Sequence, residues 1–272
     1  MEIALKKLAL MISLWLILGA TGFCQTDRVS SAPEAASPSK DPAGQSDWHV
    51  TWVPAYLWLS GVNGNLGVAG KTIPVSASFS DVFDKLNIGY MTAADVRKNR
   101  IGVLTDFQYL HLSSGEISTP FGKLYTTAHT DSQQYILDPE IYGRVFEGPK
   151  GSVDAIAGIR YWHLRSTLDL RPGLLPAFHA SASRDWVDPV MGARFRVNLK
   201  NGWFAMLKGD AGGFGAGSQA TWQVYTGVGK EFKQKYSLFL GYRRLSVDYR
   251  DGGFIYDTNM NGMLLGFAIR FK

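Results

Sequence analysis

The sequence has little of three things: cysteine, long apolar runs and charge. Its 272 residues include one cysteine, so a disulfide framework and a zinc site built from several cysteines are both excluded. Beyond residue 20 it has no run of about 18 apolar residues, which excludes membrane-spanning helices. Charged residues make up only 19% of the chain, but apolar residues make up 46%, which is too many for wholesale disorder.

Glycine and aromatic residues are plentiful instead, with 30 glycines and an aromatic content of 13%. The mean hydropathy is −0.06, an average that by itself indicates a soluble protein. The formal net charge of +5 raises the possibility of nucleic-acid binding. However, the basic residues are spread along the chain rather than gathered in one patch, so we expect no nucleic-acid partner.

The first residues have the pattern of an export signal. Lys6 and Lys7 precede an apolar run over residues 8–18, and small residues follow it. This order is typical of a secretory signal peptide, and a run of eleven residues is too short to cross about 30 Å of hydrocarbon. We therefore predict a signal peptide in residues 1–24, with cleavage near residues 22–24.

Residues 25–46 are rich in serine, alanine, proline and charge, and they offer little apolar surface to bury. This composition is typical of a disordered linker. Cys24 follows Phe23, where a lipoprotein signal needs a small residue, so no lipid anchor is expected. The sequence thus predicts a flexible periplasmic linker followed by one structured domain over residues 47–272.

From Trp48 onward, apolar and polar residues alternate with a period of two, which is the period of β-strands. Residues 153–162 show it clearly, and residues 135–145, 187–197 and 263–271 repeat it. In the first of these segments one face carries Val153, Ala155, Ala157, Ile159 and Tyr161, and the other carries Asp154, Gly158, Arg160 and Trp162.

Two properties of these strands favour a membrane barrel over a soluble sandwich, in which the apolar face would be internal. The strands are long compared with the usual 5–6 or so residues of soluble sheets. Their polar faces carry glycine, arginine and aspartate rather than the lysine and glutamate of a solvated surface. The predicted fold class is therefore all-β, a closed antiparallel transmembrane β-barrel with lipid outside and a polar lumen inside.

Short and long connections alternate along the chain, as in outer-membrane barrels with tight periplasmic turns and longer outer loops. The short ones fall at 97–100, 147–152, 199–202 and 232–236, and the long ones near 60–87, 113–126, 165–183, 212–219 and 250–256. They separate about ten strands, at 48–59, 88–97, 101–112, 127–146, 152–164, 184–199, 202–212, 219–231, 236–249 and 257–271.

The first long connection leaves the number of strands open. Residues 64–79 have the pattern of another hairpin, and residues 81–86 that of a helical turn capped by Ser80. If the hairpin joins the wall the barrel has twelve strands, and if the weaker strands are loops it has eight.

Aromatic residues cluster toward the strand ends, where rings at the headgroup level form the girdles of membrane barrels. They are Trp48, Trp52, Tyr56, Trp58, Phe146, Trp186, Trp203, Trp222, Tyr236, Tyr249 and Phe271.

Several motifs resemble a Gram-negative outer-membrane β-barrel protein family of unassigned function. Residues 53–90, VPAYLWLSGVNGNLGVAGKTIPVSASFSDVFDKLNIGY, contain a PYLW-type first strand, interrupted here by Ala55, and an FSD…L loop. Residues 103–113, 157–164, 209–232 and 240–257 add VLTDFQYLHLS, AGIRYWHL, GDAGGFGAGSQATWQVYTGVGKEF and LGYRRLSVDYRDGGFIYD, the last with GYR…DY. The resemblance implies the barrel fold, a bacterial outer-membrane location and handling by the barrel-assembly machinery, and it implies no reaction.

If the polar face of each strand points inward, the lumen contains a balanced set of charges. The acids are Asp95, Asp106, Asp138, Glu140, Asp154, Asp188 and Asp210, and the bases are Arg144, Arg160, Arg194, Arg196, Lys208, Arg243 and Arg270. Selective pores use rings of one sign, and a ten-stranded barrel is narrow. We predict that these fourteen residues form a salt-bridged plug and that resting conductance is small.

The sequence therefore predicts a structural barrel or a narrow passive or gated channel for small solutes. Two alternatives stay open, a lipid-modifying outer-membrane hydrolase and a soluble lipocalin-like binder. His179 and Ser181 resemble a lipid A deacylase motif, but they fall in a predicted loop without a carboxylate on a neighbouring strand, so no enzyme is expected. No cofactor or metal site is predicted, since no histidine has a metal-ligand spacing. Arg165 and Arg171 are expected to meet lipids and lipopolysaccharide, and the oligomeric state is left open.

Overall fold

The computed structural model describes residues 48–68, 71–118 and 122–271. The predicted signal peptide and linker lie outside these residues. Within them, no helix is long and apolar enough to cross a membrane.

Antiparallel β-strands make up almost all of the described chain. The eleven strands are β1 (Trp48–Val68), β2 (Lys71–Ala77), β3 (Leu86–Lys98), β4 (Ile101–Ser118), β5 (Tyr125–Gly148), β6 (Gly151–Pro172), β7 (Phe178–Asn198), β8 (Trp203–Gly212), β9 (Ala220–Phe232), β10 (Tyr236–Asp251) and β11 (Phe254–Phe271). One short helix, α1 (Phe79–Asp84), separates β2 from β3, and 3-10 turns lie at Gly122–Leu124 and Lys200–Gly202.

The sheet closes on itself. From β3 to β11 each strand pairs with the next along the chain, and β1 pairs with both β3 and β11. The β1–β11 ladder runs from Val50 opposite Phe271 to Gly67 opposite Ile255. The predicted closed antiparallel barrel is confirmed.

The strand number differs slightly from the prediction of ten. Ten strands complete the ring, and β2 is the eleventh, paired with the far half of β1 between Val62 and Val68. The hairpin expected near residues 64–79 therefore exists, but it supplies one added strand because β1 itself forms its first arm.

The two ends of the barrel differ. At the end we name the turn end, connections of two to four residues join β3 to β4, β5 to β6, β7 to β8 and β9 to β10. Asn99, Asn201, Lys233 and Gln234 adopt positive φ there, as tight hairpins require. Trp48 and Phe271 lie at the same end, because their strands pair beside these turns.

At the opposite end, the loop end, three predicted loops are wrong. Residues 113–126 and 165–183 are mostly paired strand, with β6 and β7 matched as far as Leu170 opposite Phe178. Residues 250–256 contain a two-residue turn at Gly252 and Gly253, both with positive φ. Residues 113–118 are mostly polar on both faces, as expected for a hairpin that projects into water. Residues 165–171 still alternate, with Leu168 and Leu170 on the face opposite Asp169.

The outside of the barrel is apolar. Large side chains such as Ile101, Ile141 and Met191 are more than 60% exposed, while Asp138 and Asp188 are fully buried on the inner face. A continuous apolar exterior around a polar interior is the arrangement of a membrane-spanning barrel. It is incompatible with a soluble lipocalin-like protein, whose apolar residues face inward.

Four residues predicted for the aromatic girdle point inward instead. Tyr56, Trp58, Trp186 and Tyr249 are buried in the interior, whereas girdle residues such as Trp48 are exposed at the turn end. In β1 the cause is a register shift between Trp52 and Ala55, around Pro54. Proline has no backbone N–H to donate to the strand ladder, so the ladder forms a bulge there. Odd-numbered residues of β1 face the lumen before the bulge, and even-numbered residues face it afterwards.

Helix α1 begins two residues earlier than predicted. Its N-cap is Ser78, not Ser80, because the Ser78 hydroxyl accepts from the Asp81 amide while the Asp81 carboxylate accepts from the Ser78 amide at 2.8 Å. This reciprocal pair is a capping box.

Candidate functional site

The structure places all fourteen predicted lumen residues inside the barrel, where they are buried or line a central cavity. It divides them into groups at different depths. We name the deepest group the central layer; its members are Asp138, Glu140, Arg160, Lys208 and Asp210.

Arg160 holds the central layer together. Its Nε donates to Asp138 at 2.9 Å and its Nη2 donates to Asp210 at 2.8 Å, with all three side chains fully buried. Lys208, on β8, donates to Glu140, on β5, at 2.6 Å across the lumen. Each charge therefore has an opposite charge within hydrogen-bond reach, which offsets its loss of hydration.

Arg243 links the central layer to Asp106 and Tyr56. Its guanidinium donates to the Gln223 carbonyl at 2.7 Å, and Gln223 in turn donates to Asp138 at 3.2 Å. Arg243 also contacts Asp106 at 3.3 Å, and the Tyr56 hydroxyl donates to Asp106 at 2.8 Å. One connected network thus reaches from β4 to β10 across the lumen.

A second group lies nearer the turn end. Arg144 and Arg194 both bond Asp154 at 2.8 Å, and Arg194 also reaches Asp95 at 2.8 Å. The Tyr142 hydroxyl donates to Asp95 at 2.6 Å. Asp188 stands apart from these groups, and its carboxylate accepts from the Trp186 indole and the Ser218 amide.

The turn-end mouth contains residues that the sequence prediction missed. Arg196 and Arg270 both donate to Glu231 at 2.6 Å, and Arg97 and Arg144 both lie within 4 Å of Glu147. Glu231 lies at an inward-facing alternate position of β9, so the alternation that selected the other lumen residues could have identified it. Glu147 follows a register shift in β5, which breaks that alternation.

Beyond the central layer, toward the loop end, the lumen is filled by rings. We name Trp162, Trp186, Tyr249 and Tyr256 the aromatic layer. Trp186 stacks on Tyr249 with centroids 4.0 Å apart and on Trp162 at 5.4 Å, and Tyr256 meets the edge of Trp162. These rings join one buried apolar cluster with residues such as Ile136, Leu245, Val247 and Met260.

Toward the turn end the lumen is hollow. A cavity of about 570 Å³ extends from Tyr56 and Arg243 to the turn-end mouth, where His49 and Arg270 line it. The central layer and the aromatic layer together close its inner end. Among the described residues, the lumen is therefore a pocket that opens at the turn end and is closed toward the loop end.

Three histidines outside the cavity, His111, His163 and His179, pair with carboxylates. His179 Nδ1 lies 2.6 Å from Asp169 on the adjacent strand β6, so the expectation that no carboxylate faces His179 from a rigid strand is wrong. His111 pairs with Asp131 and His163 with Asp185 in the same way. Across the described ranges no group of three or more histidine, cysteine or acidic residues could hold a metal ion.

No protein-family model matches the sequence, and no curated protein matches it. Solved structures that resemble the fold include the translocator domain of the autotransporter NalP from Neisseria meningitidis, with 14% identity over 82% of this chain and 88% of that chain and a TM-score of 0.42. The outer membrane protease OmpT from Escherichia coli has 9% identity over 82% and 96% of the two chains, with a TM-score of 0.40. Ail from Yersinia pestis has 12% identity over 84% and 100%, with a TM-score of 0.35. The barrel assignment rests on the strand pairing and the apolar exterior described above.

Proposed function

We propose that this chain is an integral bacterial outer-membrane barrel whose lumen is closed at rest. The observation that carries the proposal is the double closure of the lumen by the central layer and the aromatic layer. Solute passage through the resting barrel would require both to rearrange, so a structural role or a gated passage fits better than a passive pore.

The energetic argument concerns the central layer. Removing one partner of a buried ion pair costs about 3–5 kcal/mol, because the other charge is left buried without compensation. Opening the lumen would separate Arg160 from both Asp138 and Asp210. Thermal fluctuation alone seldom supplies that free energy, so the closed form dominates.

The test is single-channel recording of the refolded protein in planar bilayers. We expect no stable open state in the unchanged protein. A variant with Arg160, Asp138 and Asp210 all changed to serine removes three of the five charges of the central layer. A Trp162→Ala, Trp186→Ala variant removes the two stacked indoles of the aromatic layer. Each single-layer variant should stay closed, and the combined variant should conduct. A large stable conductance in the unchanged protein would refute the proposal.

A second candidate function, hydrolysis at the loop end, is favoured by one observation. Asp169 bonds His179, and Ser181 lies two residues beyond His179 on the same face of β7. A carboxylate that orients an imidazole beside a hydroxyl is the arrangement of a serine nucleophile. Mass spectrometry of lipid A from cells with the unchanged chain, His179→Ala or His111→Ala would test it: loss of acyl chains that only His179→Ala abolishes supports hydrolysis, and unaltered lipid A refutes it.

The location also predicts contact with lipopolysaccharide. Arg165 and Arg171 are exposed at the loop end, where phosphate groups would meet them. Arg171 already pairs with Glu116 at 2.9 Å, so Arg165 is the freer of the two. Neutralising both should weaken lipopolysaccharide binding, and unchanged binding would count against the contact.

A further inference from the structure

The turn-end cavity has two unlike walls. Strands β5, β6 and β7 contribute a charged wall that includes Arg144, Asp154 and Arg194. Strands β8, β10 and β11 contribute a group of apolar side chains that we name the apolar wall, with Lys208 and Arg243 at its inner end and Arg270 at the mouth. Its side chains are Phe204, Met206, Phe239, Leu264 and Ala268.

Glycines make the apolar wall flat. A Cβ at Gly229 would lie 2.3 Å from the Phe204 ring, and a Cβ at Gly227 would lie 2.7 Å from the Phe239 ring. Both rings therefore lie against bare backbone instead of projecting across the lumen. The rings therefore do not fill the cavity, and they give it an apolar surface wide enough for an aliphatic chain.

Arginine exceeds carboxylate at the mouth of the cavity. Arg196 and Arg270 share Glu231, just as Arg97 and Arg144 share Glu147. His49 lines the same cavity as Arg97, Arg144 and Arg270. The mouth therefore has donors left for an anion after its own acids are satisfied.

The cationic mouth and the apolar wall are in contact. The Arg196 guanidinium lies 3.8 Å from the centre of the Phe204 ring. Arg270 lies on the same inward face of β11 as Ala268 and Leu264, two and six residues away. An anion held by Arg196 and Arg270 would consequently have the apolar wall directly behind it.

We propose that this cavity binds a single-chain amphiphile with one anionic headgroup, the headgroup at Arg196 and Arg270 and the chain against Phe204, Phe239 and Leu264. The volume is in the range of about 300–1,000 Å³ that small-molecule sites occupy. An inorganic anion would leave the apolar wall uncovered, and a neutral hydrocarbon would leave the arginines unused. The headgroup is a carboxylate, as in a fatty acid, or a phosphate, as in a lysophospholipid.

Methionine-methyl NMR of the barrel in lipid nanodiscs tests the proposal, because the methionines report on separate places. Met206 lines the cavity, Met260 is buried beyond it, and Met191 faces the lipid. The probes are dodecanoate and dodecyl phosphate, with dodecanol and dodecyltrimethylammonium as neutral and cationic controls. Binding in the cavity should shift Met206 saturably and leave Met260 unchanged, whereas partition into the bilayer would affect Met191.

The matched variants are Arg270→Gln in the mouth and Arg250→Gln, an arginine exposed at the loop end. Losing a charge-assisted hydrogen bond should weaken binding of the anionic probe by about tenfold or more in the first variant and leave it unchanged in the second. Heat-modifiable gel migration verifies that each variant is folded. Gly229→Leu, which drives Phe204 into the cavity, is an independent variant that should abolish the Met206 shift.

A Met206 shift with dodecanoate alone identifies a fatty-acid site, and one with dodecyl phosphate alone identifies a lysophospholipid site. Both support the proposal, as does a response to both probes. The absence of a saturable Met206 shift, or equal shifts with the neutral or cationic controls, overturns it. The result is independent of conductance, so this proposal and the closed-lumen proposal fail separately.

Discussion

The two halves of the barrel interior have the same wall but opposite contents. Along the inward face of β10, Ser237 and Phe239 line an open cavity, whereas Leu245, Val247 and Tyr249 are buried in a packed apolar cluster. Alternation decides only which face a residue occupies. The size and shape of the inward side chains decide whether that half of the lumen is open or filled.

Glycine placement explains part of this difference. In the turn-end half, Gly227 and Gly229 let aromatic rings lie flat against the wall. In the loop-end half, Trp162 and Trp186 stack side by side on the paired strands β6 and β7, and they contact Tyr249 and Tyr256 across the lumen. The same residue types therefore leave one half hollow and fill the other.

The largest loss of stability is expected from a change in the central layer, which separates the open half from the sealed half. Arg160→Met leaves Asp138 and Asp210 buried without their partner, so the free energy of unfolding should fall by about 3–5 kcal/mol. Urea unfolding in lipid vesicles measures it. Arg250→Met removes an arginine that is 54% exposed and should change stability by less than about 0.5 kcal/mol. Equal losses in the two variants would contradict the assignment of Arg160 as the centre of the network.

The sealed half should lose its packing when its central ring is removed. Trp186→Ala deletes the ring that stacks on both Tyr249 and Trp162, and the cavity left behind should cost about 3 kcal/mol. Phe214→Ala, in the exposed β8–β9 connection, is the control and should have little effect on the same unfolding curve. A tolerated Trp186→Ala would show that the loop-end half is not tightly packed.

In the open half, adding a single methyl group at Gly229 should destabilise the barrel by a smaller amount. Gly229→Ala places a Cβ 2.3 Å from the Phe204 ring, and overpacking of this kind costs about 1–3 kcal/mol. Gly143→Ala is a matched control in β5, because no atom lies within 4 Å of the added Cβ. Unfolding midpoints that shift equally for the two variants would show that the Phe204 ring does not depend on Gly229.

The smallest effect on stability is expected in helix α1, which lies outside both halves of the barrel interior. Hydrogen bonds from the Ser78 hydroxyl and amide hold the pKa of Asp81 below its usual value. A carboxylate with a lowered pKa stabilises the folded form at higher pH, and this contribution is lost as the pH falls through that lowered pKa. The protection factors for amide hydrogen exchange in residues 79–84 should therefore fall at acidic pH, and Ser78→Ala, which removes the hydroxyl donor, should weaken this pH dependence. An undiminished pH dependence in Ser78→Ala would exclude the Ser78 hydroxyl as a cause.

Much of the architecture follows from alternation alone. In residues 153–162 and 187–197 the period of two places Arg160, Asp188 and Arg194 on the polar face, and in the structure their side chains are buried. The girdle prediction, made from positions near strand ends, failed at Tyr56 and Trp58, where the bulge around Pro54 turns the side chains toward the lumen. Alternation also missed Glu147, which follows a similar register shift.

The cavity could not be predicted from the sequence. Its existence depends on which ring lies over which glycine, such as Phe204 over Gly229 across the β8–β9 pair. That relation requires the register between neighbouring strands, which periodicity does not supply. The strand extensions at the loop end were missed for a different reason. Residues 113–118 are mostly polar on both faces, and the alternating residues 165–171 run into a segment with two prolines and a glycine at 172–177, which has the composition of a loop.

The central claim is that the lumen is open at the turn end and sealed toward the loop end. Thiol labelling of two cysteine variants on one face of β10, Ser237→Cys in the cavity and Val247→Cys in the sealed half, tests it most directly, with Cys24 changed to serine in both. We predict that a small charged thiol reagent labels position 237 rapidly in the folded barrel and labels position 247 only as fast as the barrel unfolds. Equal labelling rates at the two positions would contradict the account.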